Sequence, residues 1–193
     1  DQWGRMMPLG NFAAVMERVQ RVISAVEPHD SVERYTALGV DCIAGRARIT
    51  SPWTVEVTTA TGPRTLTTRS IVIAAGARPA VPPIPGLAEA GYLTSDSVWD
   101  LRVLPQRLLV LGGGPIGCEL AQAFARLGAA VTQVEMLPRI LMREDVEVSD
   151  LVRASFEADG VRVLTGHRAE RVVIEGDDKI LIVRGASHLL DDV

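Results

Sequence analysis

Cysteine is scarce in this sequence, and long apolar runs are missing altogether. Only two cysteines occur, Cys42 and Cys118, which lie 76 positions apart and form neither a metal-binding motif nor a C-x-x-C pair. No apolar run approaches the ~20 residues of a membrane-spanning helix, and no signal-peptide pattern opens the chain. The sequence therefore predicts no metal centre and no membrane segment, and its cysteine usage fits a reducing, cytoplasmic location.

An excess of positive charge is also lacking. The 20 basic and 24 acidic side chains give a formal net charge of −4, which offers no basic field for nucleic acid. With 193 residues, 47% hydrophobic and 23% charged, the composition is that of an ordinary globular protein of one or two domains. The chain begins at Asp1 rather than at methionine, so we expect a processed, truncated or partly observed protein.

The most informative stretch is a strand–helix–strand pattern in the second half of the chain. Residues 108–111 form a short apolar run that predicts a buried parallel strand, and residues 115–127 follow with helical periodicity. A second strand, 130–134, ends in Glu135, 18 positions after the last glycine of a G-x-G-x-x-G motif. The glycines of that motif lie between the first strand and the helix: Gly112, Gly114 and Gly117.

This arrangement is typical of a dinucleotide-binding unit. The first glycine permits a tight turn, the second lets the backbone approach a pyrophosphate, and the third lets the helix pack close to the strand. The helix begins with Pro115 and Ile116, and its free N–H groups and dipole favour the two phosphates. Glu135 can accept hydrogen bonds from the adenosine ribose, so NAD(H) is the predicted ligand. A glycine turn without these flanking elements would support no such prediction.

The end of the second strand favours NAD(H) over NADP(H). A 2′-phosphate needs arginine or a comparable donor, whereas the strand ends in Glu135 and continues with Met136 and Leu137. Arg139 and Arg143 are the two arginines nearby that could supply such a donor, and either could fold back toward the ribose.

Cys118, on the nucleotide-binding helix, allows two interpretations. Its place near a helix N-terminus could lower the pKa of its thiol, which would favour a reactive cysteine. Its neighbours Gly117 and Leu120 indicate packing instead, and burial as a small hydrophobic side chain is the commoner fate of free cysteine. We expect a structural role.

The remaining chain alternates helix and strand patterns without internal repeats. The patterns predict helices at 11–27, 31–38, 94–101 and 145–158, and strands at 40–43, 46–49, 53–58, 64–68, 161–164, 171–174 and 180–183. Asn11 could cap the first helix, and residues 176–178 form the predicted turn between the last two strands. The first helix has an apolar face that we expect in the core: Phe12, Val15, Val19, Val22, Ile23 and Val26. The helix at 115–127 also has one apolar face: Ile116, Leu120, Ala123, Phe124 and Leu127. A further apolar strand at 71–75 is expected to be buried. The prolines of residues 79–86 exclude helix and central strand, so this segment is interpreted as an interdomain connection.

Five separated segments together resemble the FAD-dependent pyridine nucleotide-disulfide oxidoreductases, the family of dihydrolipoamide dehydrogenase, glutathione reductase and mercuric reductase. The similar segments are residues 45–47, 71–86, 92–96, 108–135 and 143–149. The resemblance extends over about residues 27–183, and the mercuric reductase and dihydrolipoamide dehydrogenase branch is the most similar.

The resemblance implies an α/β fold with two parts. Residues 88–193 would form a Rossmann-like NAD(H)-binding domain, and residues 1–87 would form part of an FAD-binding domain. Four small residues match backbone stretches that approach the flavin dinucleotide in the family: Gly45, Ala47, Ala75 and Gly76. Glu119 matches a glutamate near the nicotinamide and flavin rings. The alternative for Glu119 is a solvated acid in the first helical turn, where the helix dipole favours it.

Other family features are missing from this chain. The family opens with a flavin-binding glycine motif and a C-x4-C redox pair, and it ends with a dimerisation domain that carries a catalytic histidine beside a glutamate. We assign no catalysis to His167 or His188, and residues 187–190 match only the lead-in to a second flavin segment. The chain therefore resembles the middle of the enzyme and contains no predicted catalytic residue.

The full protein would pass hydride from NADH to FAD and then to a dithiol, disulfide or similar acceptor, as a homodimer. Two alternatives stay open. One is a flavoenzyme without a redox disulfide, such as an NADH oxidase or a ferredoxin reductase, which a C-x4-C pair upstream would exclude. The other is a non-enzymatic NAD-sensing module.

Overall fold

The computed structural model describes residues 11–185. They form two compact units: one contains the described residues up to Val19 and from Pro79 onward, and the other is Gln20–Arg78. This division differs from the predicted boundary at 87/88, because the proline-rich connection packs with the larger unit. There the Val172 N–H donates to the Pro85 carbonyl at 2.8 Å. The assignment of the two parts to a flavin and a nicotinamide domain stays a prediction.

Two helices lead into the smaller unit's sheet. α1, Phe12–Val26, begins after Asn11, whose side-chain oxygen accepts a hydrogen bond from the Ala14 N–H at 3.0 Å. This cap is the one that the sequence predicts. A 3₁₀ turn, Glu27–Asp30, and α2, Val32–Ala37, follow, and the serine before α2 caps it.

The sheet of the smaller unit has three antiparallel strands in the order β1–β2–β3. They are β1, Arg46–Ser51; β2, Thr54–Thr59; and β3, Gly62–Thr67. Ala47 lies opposite Val57, which is buried. The three strands predicted for this region are confirmed to within two residues at each end.

Two further strands predicted in the smaller unit are wrong. Residues 40–43 and 71–75 have irregular backbone, and Val72 is 88% exposed. Apolar patterns indicate which side chains favour burial, but a strand also needs a partner for its N–H and C=O groups. The strands β1, β2 and β3 pair with one another, and within residues 11–185 no strand pairs with either segment.

The larger unit is built on a three-stranded parallel sheet. Its strands are β4, Arg107–Leu111; β5, Ala130–Glu135; and β6, Arg162–Thr165, in the order β4–β5–β6. Helix α4, Pro115–Arg126, connects β4 to β5, and helix α5, Val146–Ala158, connects β5 to β6. The α/β fold is thereby confirmed, and the carboxyl ends of the three parallel strands lie at one edge of the sheet.

Shorter elements complete this unit. Helix α3 is Leu87–Ala90, and a 3₁₀ turn, Val98–Asp100, replaces the helix predicted through residue 101. Strands β7, Arg168–Glu175, and β8, Asp178–Arg184, form an antiparallel hairpin. Its turn contains Gly176 at a φ of +62°, a conformation that glycine adopts readily.

The main hydrophobic core lies in the larger unit. It contains ten buried side chains from α4, β5, α5, β6 and the adjoining segments: Val98, Cys118, Ala121, Phe124, Ala129, Val131, Ile140, Phe156, Val161 and Val163. Among residues 11–185, no helix has the length and hydropathy that a membrane crossing requires.

The apolar faces of two helices are only partly buried, and the burial predicted for the face of α1 is therefore partly wrong. On α1, Met16 is buried, whereas Val22 and Val26, expected in the core, are each 51% exposed. On α4, Ile116 and Ala123 share the predicted apolar face with Phe124, but Phe124 is buried whereas Ile116 and Ala123 are exposed. Periodicity along one helix contains no information about which of its positions neighbouring segments cover.

Candidate nucleotide-binding site

Each of the three motif glycines at the carboxyl end of β4 is explained by a different structural feature. Gly112 has a φ of +106°, which the turn requires, and its N–H donates to the Val134 carbonyl at 2.8 Å, which continues the β4–β5 pairing by one residue. A Cβ at Gly117 would lie 2.5 Å from the Gly112 carbonyl oxygen, so only glycine lets the helix approach the loop this closely. A Cβ at Gly114 would have no neighbour within 4 Å, so this backbone is open to a ligand.

The start of α4 presents unpaired donors. Gly114 is the N-cap residue in an extended conformation, and its carbonyl accepts from the Cys118 N–H at 2.9 Å. Pro115 has no N–H, and its side chain is exposed, as is that of Ile116. Within residues 11–185 the amides of Gly114, Ile116 and Gly117 have no hydrogen-bond acceptor. Unpaired amides at the positive end of a helix dipole favour an anion such as a pyrophosphate.

Glu135 lies at the end of β5, with only 9% of its surface exposed. One of its carboxylate oxygens accepts from the Gly113 N–H at 2.5 Å, and the other accepts from the Leu137 N–H at 2.7 Å. The predicted ribose-binding acid therefore also joins the glycine loop to the loop after β5. Each oxygen can accept more than one hydrogen bond, so capacity for ribose hydroxyls remains.

Gly113 is a site residue that the motif did not identify. A Cβ there would lie 2.9 Å from Ile140 Cγ2 and 3.1 Å from the Glu135 carboxylate. Its carbonyl accepts from the Leu141 N–H at 2.7 Å. The only signal in the sequence was the unbroken run of three glycines, since the motif leaves this position unspecified.

Arg139 is, after Gly113, a second residue whose structural role sequence reasoning did not identify. It holds residues 136–144, which we call the ribose loop. The Arg139 guanidinium donates to the carbonyls of Leu141, Met142 and Glu144 at 3.3, 3.1 and 2.8 Å. Ser149 of α5 donates to a further loop carbonyl, that of Ile140, at 2.7 Å.

A buried polar cluster lies beneath the glycine loop. The side-chain amide of Gln133, which is 0% exposed, donates to the Gly112 carbonyl at 2.9 Å and to the Cys118 sulfur at 3.5 Å. The Cys118 thiol in turn donates to the Gly113 carbonyl at 3.4 Å. Burial raises the pKa of the Cys118 thiol, and the charges of Glu135 and Glu119 act in the same direction, against the hydrogen bond from Gln133. The neutral thiol is therefore favoured.

We expect Cys118 to react slowly with iodoacetamide at pH 8, because the thiolate is the reactive form and burial disfavours it. The exposed Cys42 is the internal control and should be alkylated first. Mass spectrometry of timed samples measures both rates. Cys118→Ala should bind NADH within about tenfold of the parent chain, or about 1.4 kcal/mol, because a thiol is a weak donor. Faster alkylation of Cys118 than of Cys42 would contradict the structural role.

Glu119 and His167 differ in exposure. Glu119 is the fifth residue of α4 and is exposed. The alternative of a solvated acid in the first turn agrees with this exposure but not with the position, because the first turn carries no acidic residue. His167 is partly buried with Nδ1 2.7 Å from the Thr165 carbonyl oxygen. His188 and residues 187–190 lie outside the described residues.

The four residues predicted to approach a flavin are all exposed: Gly45, Ala47, Ala75 and Gly76. A Cβ at Gly45 would lie 2.5 Å from the Thr58 carbonyl oxygen, and Gly76 has a φ of +67°. Strand packing therefore explains Gly45, and backbone conformation explains Gly76. The four residues by themselves do not form a flavin-binding site. In the part of the chain that the structure describes, no group of three or more His, Cys, Asp or Glu side chains is arranged to hold a metal ion.

Comparisons with known proteins agree with this arrangement. The model of the family described as pyridine nucleotide-disulphide oxidoreductase matches residues 5–190. A mercuric reductase of Staphylococcus aureus is 34% identical over 166 residues, which cover 86% of this chain and 30% of that protein. A dihydrolipoyl dehydrogenase of Chlorobaculum tepidum is 37% identical over 153 residues, which cover 77% of this chain and 32% of that protein. The chain thus spans about a third of the length of these curated relatives.

Solved structures of related proteins also resemble this chain. The HOCl-induced flavoprotein disulfide reductase RclA from Escherichia coli has a TM-score of 0.70 at 27% identity, over 89% of this chain and 39% of that one. LpdA from Mycobacterium tuberculosis has a TM-score of 0.73 at 27% identity, over 90% of this chain and 39% of that one. The mercuric reductases and lipoamide dehydrogenases are enzymes that use FAD and NAD(P)H. The glycine loop, the parallel sheet and these matches together show that the chain belongs to the pyridine nucleotide-disulphide oxidoreductase family.

Proposed function

We propose that this chain is the NAD(H)-binding portion, with part of the flavin-binding portion, of an enzyme that passes hydride from NADH to FAD and on to a disulfide, dithiol or similar acceptor. The observation that carries the proposal is the set of unpaired amides at Gly114, Ile116 and Gly117, beside an open backbone at Gly114. Burial of Glu135 at the adjoining strand end supports a ribose site next to them.

In this proposal the residues of the chain bind and orient, and the cofactors supply the redox chemistry. The amides of α4 hold the pyrophosphate of the nucleotide, and Glu135 holds the adenosine ribose. Glu119, which is exposed on α4, would lie on the nicotinamide side. The bound nicotinamide supplies the hydride. Gly45, Ala47, Ala75 and Gly76 would contribute backbone to a flavin site that requires more of the protein than these residues.

A disulfide or dithiol acceptor is favoured over the alternatives because the relatives include a disulfide reductase and dihydrolipoyl dehydrogenases. An NADH oxidase-like or ferredoxin reductase-like enzyme would lack the redox cysteines in the full-length sequence. An NAD-sensing module would need a partner-binding element, for which the acidic balance of the chain gives no support. A homodimeric, cytoplasmic full-length enzyme remains part of the proposal.

Calorimetric titration of the chain with NADH tests the binding function directly. We expect saturable binding at one site per chain. Failure to bind NADH under conditions where the chain is folded would overturn the proposal.

The chain by itself should be catalytically inert, because it holds no C-x4-C pair and the described flavin-side residues are exposed. Stopped-flow mixing with NADH, added FAD and lipoamide or a disulfide should show no turnover. Turnover that depends on Cys42 or Cys118 would contradict this expectation, and single alanine variants of the two cysteines identify such a dependence.

A further inference from the structure

One peptide group joins the glycine loop to the ribose loop. The Gly113 carbonyl accepts from the Leu141 N–H at 2.7 Å and from the Cys118 thiol at 3.4 Å. In a trans peptide the carbonyl and the following N–H point in opposite directions, and no cis peptide occurs in residues 11–185. The Gly114 N–H, which belongs to the same peptide, therefore points away from Leu141 and Cys118. It is one of the unpaired amides at the start of α4.

Leu141 reaches Gly113 only in an unusual backbone conformation. Its φ is +48°, and among residues 11–185 it is the only residue other than glycine with a positive φ. A leucine in this left-handed region is unfavourable unless the surroundings hold it there. Besides the hydrogen bond to Gly113, its carbonyl accepts from the Glu144 N–H at 2.9 Å and from Arg139 at 3.3 Å.

Arg139 supplies most of the side-chain hydrogen bonds within this turn. Its Nη1 donates to the carbonyls of Leu141 and Glu144, and its Nη2 donates to that of Met142. A planar guanidinium can bind several carbonyls in one fixed geometry, which a lysine ammonium on a flexible chain does less well.

We infer that Arg139 and Leu141 are positioning residues for the pyrophosphate. Arg139 holds Leu141 in the left-handed conformation, Leu141 holds the Gly113 carbonyl, and the Gly114 N–H is thereby directed toward the phosphate. Neither side chain touches the nucleotide in this account. The inference rests on the proposed NAD(H)-binding function and adds a conformational requirement at residues outside the glycine motif.

Two substitutions at Leu141 distinguish a backbone role from a packing role. Glycine adopts a positive φ freely, whereas the β-branched valine disfavours it. We expect Leu141→Gly to bind NADH within about threefold of the parent chain and Leu141→Val to bind about tenfold more weakly, a difference that calorimetry resolves. Leu141 also packs against the hydrophobic core, and a packing role alone would reverse this order, because glycine removes more of the side chain.

Arg139→Met should weaken NADH binding about tenfold. The matched control is Arg102→Met, because Arg102 also donates to backbone carbonyls, those of Trp99 and Leu101, at 3.0 and 2.8 Å. It precedes β4, at the edge of the sheet opposite the glycine loop, and its replacement should leave NADH affinity within about twofold. In the double variant Arg139→Met/Leu141→Gly, glycine no longer needs to be held in place, so we expect tighter NADH binding than for Arg139→Met alone.

The outcomes separate the two proposals. A folded parent chain that does not bind NADH overturns the proposed function and this inference with it. A parent chain that binds NADH, with Arg139→Met and Leu141→Val variants that bind equally well, overturns only the inference. Weaker binding by Leu141→Gly than by Leu141→Val, or a further loss in the double variant, also overturns it.

Discussion

Replacing Gly117 with alanine should destabilise the larger unit and reduce NADH affinity by about 100-fold or more, whereas replacing Gly114 should affect affinity alone. The difference follows from what each new methyl group would meet. At Gly117 a Cβ would lie 2.5 Å from the backbone carbonyl oxygen of Gly112, so the loop or the helix must shift. Such overpacking costs about 1–3 kcal/mol of folding free energy, and the shift would also displace the amides that we propose to bind the pyrophosphate.

At Gly114 a Cβ would meet no protein atom within 4 Å, and the residue has an ordinary φ of −77°. The free energy of unfolding should therefore change by less than about 1 kcal/mol. The methyl group would instead occupy the open space through which a pyrophosphate approaches. We expect NADH affinity to fall about tenfold or more.

Urea unfolding measures the change in stability, and calorimetry with NADH measures the change in affinity. Gly45→Ala is the matched control for Gly117→Ala, because its Cβ would also lie 2.5 Å from a backbone carbonyl oxygen, that of Thr58 in the smaller unit. It should destabilise the smaller unit and leave NADH affinity unchanged. Unaltered NADH binding by Gly114→Ala would show that the pyrophosphate does not pass over this backbone.

The chain should bind NADH roughly 30- to 1,000-fold more tightly than NADPH, a difference of about 2–4 kcal/mol. Glu135 is nearly buried at the end of β5, where its charge is poorly screened from a 2′-phosphate. Arg139 donates to three carbonyls of the ribose loop, so it is not the free donor that a 2′-phosphate needs. Arg143 is exposed, and it remains the one arginine of the ribose loop that could reach such a phosphate.

Calorimetry with both nucleotides at fixed salt tests this preference. Glu135→Arg should narrow or reverse the ratio of the two dissociation constants. The absolute affinity for NADH should also fall, because the N–H groups of Gly113 and Leu137 lose their acceptor. Arg143→Met should leave the ratio unchanged; if it lowers NADPH affinity alone, Arg143 binds the 2′-phosphate. Equal or tighter NADPH binding by the parent chain would contradict the assignment.

Several predictions succeeded because the information is local in the chain. The β4–α4–β5 unit depends on an apolar run, a glycine-rich turn and a helical pattern that are contiguous in sequence, so its elements are found within about a residue of their predicted ends. The hairpin around Gly176 and the cap at Asn11 are local in the same sense. The two wrong strands, 40–43 and 71–75, also had local apolar patterns, but a strand requires a partner that no local pattern identifies.

The sequence by itself therefore determined the family, the α/β class, and the positions of the glycine turn and of Glu135 at adjoining strand ends. Only the tertiary structure decided how these parts are held together. The hydrogen bonds from Gly113 to Glu135, from Leu141 to Gly113 and from Gln133 to Gly112 join residues 21 to 28 positions apart in the chain. These residues meet because β4 and β5 pair in parallel and end at the same edge of the sheet. Such contacts depend on directional geometry between distant segments, whereas spacing and periodicity report only the conformation and burial preference of each segment alone.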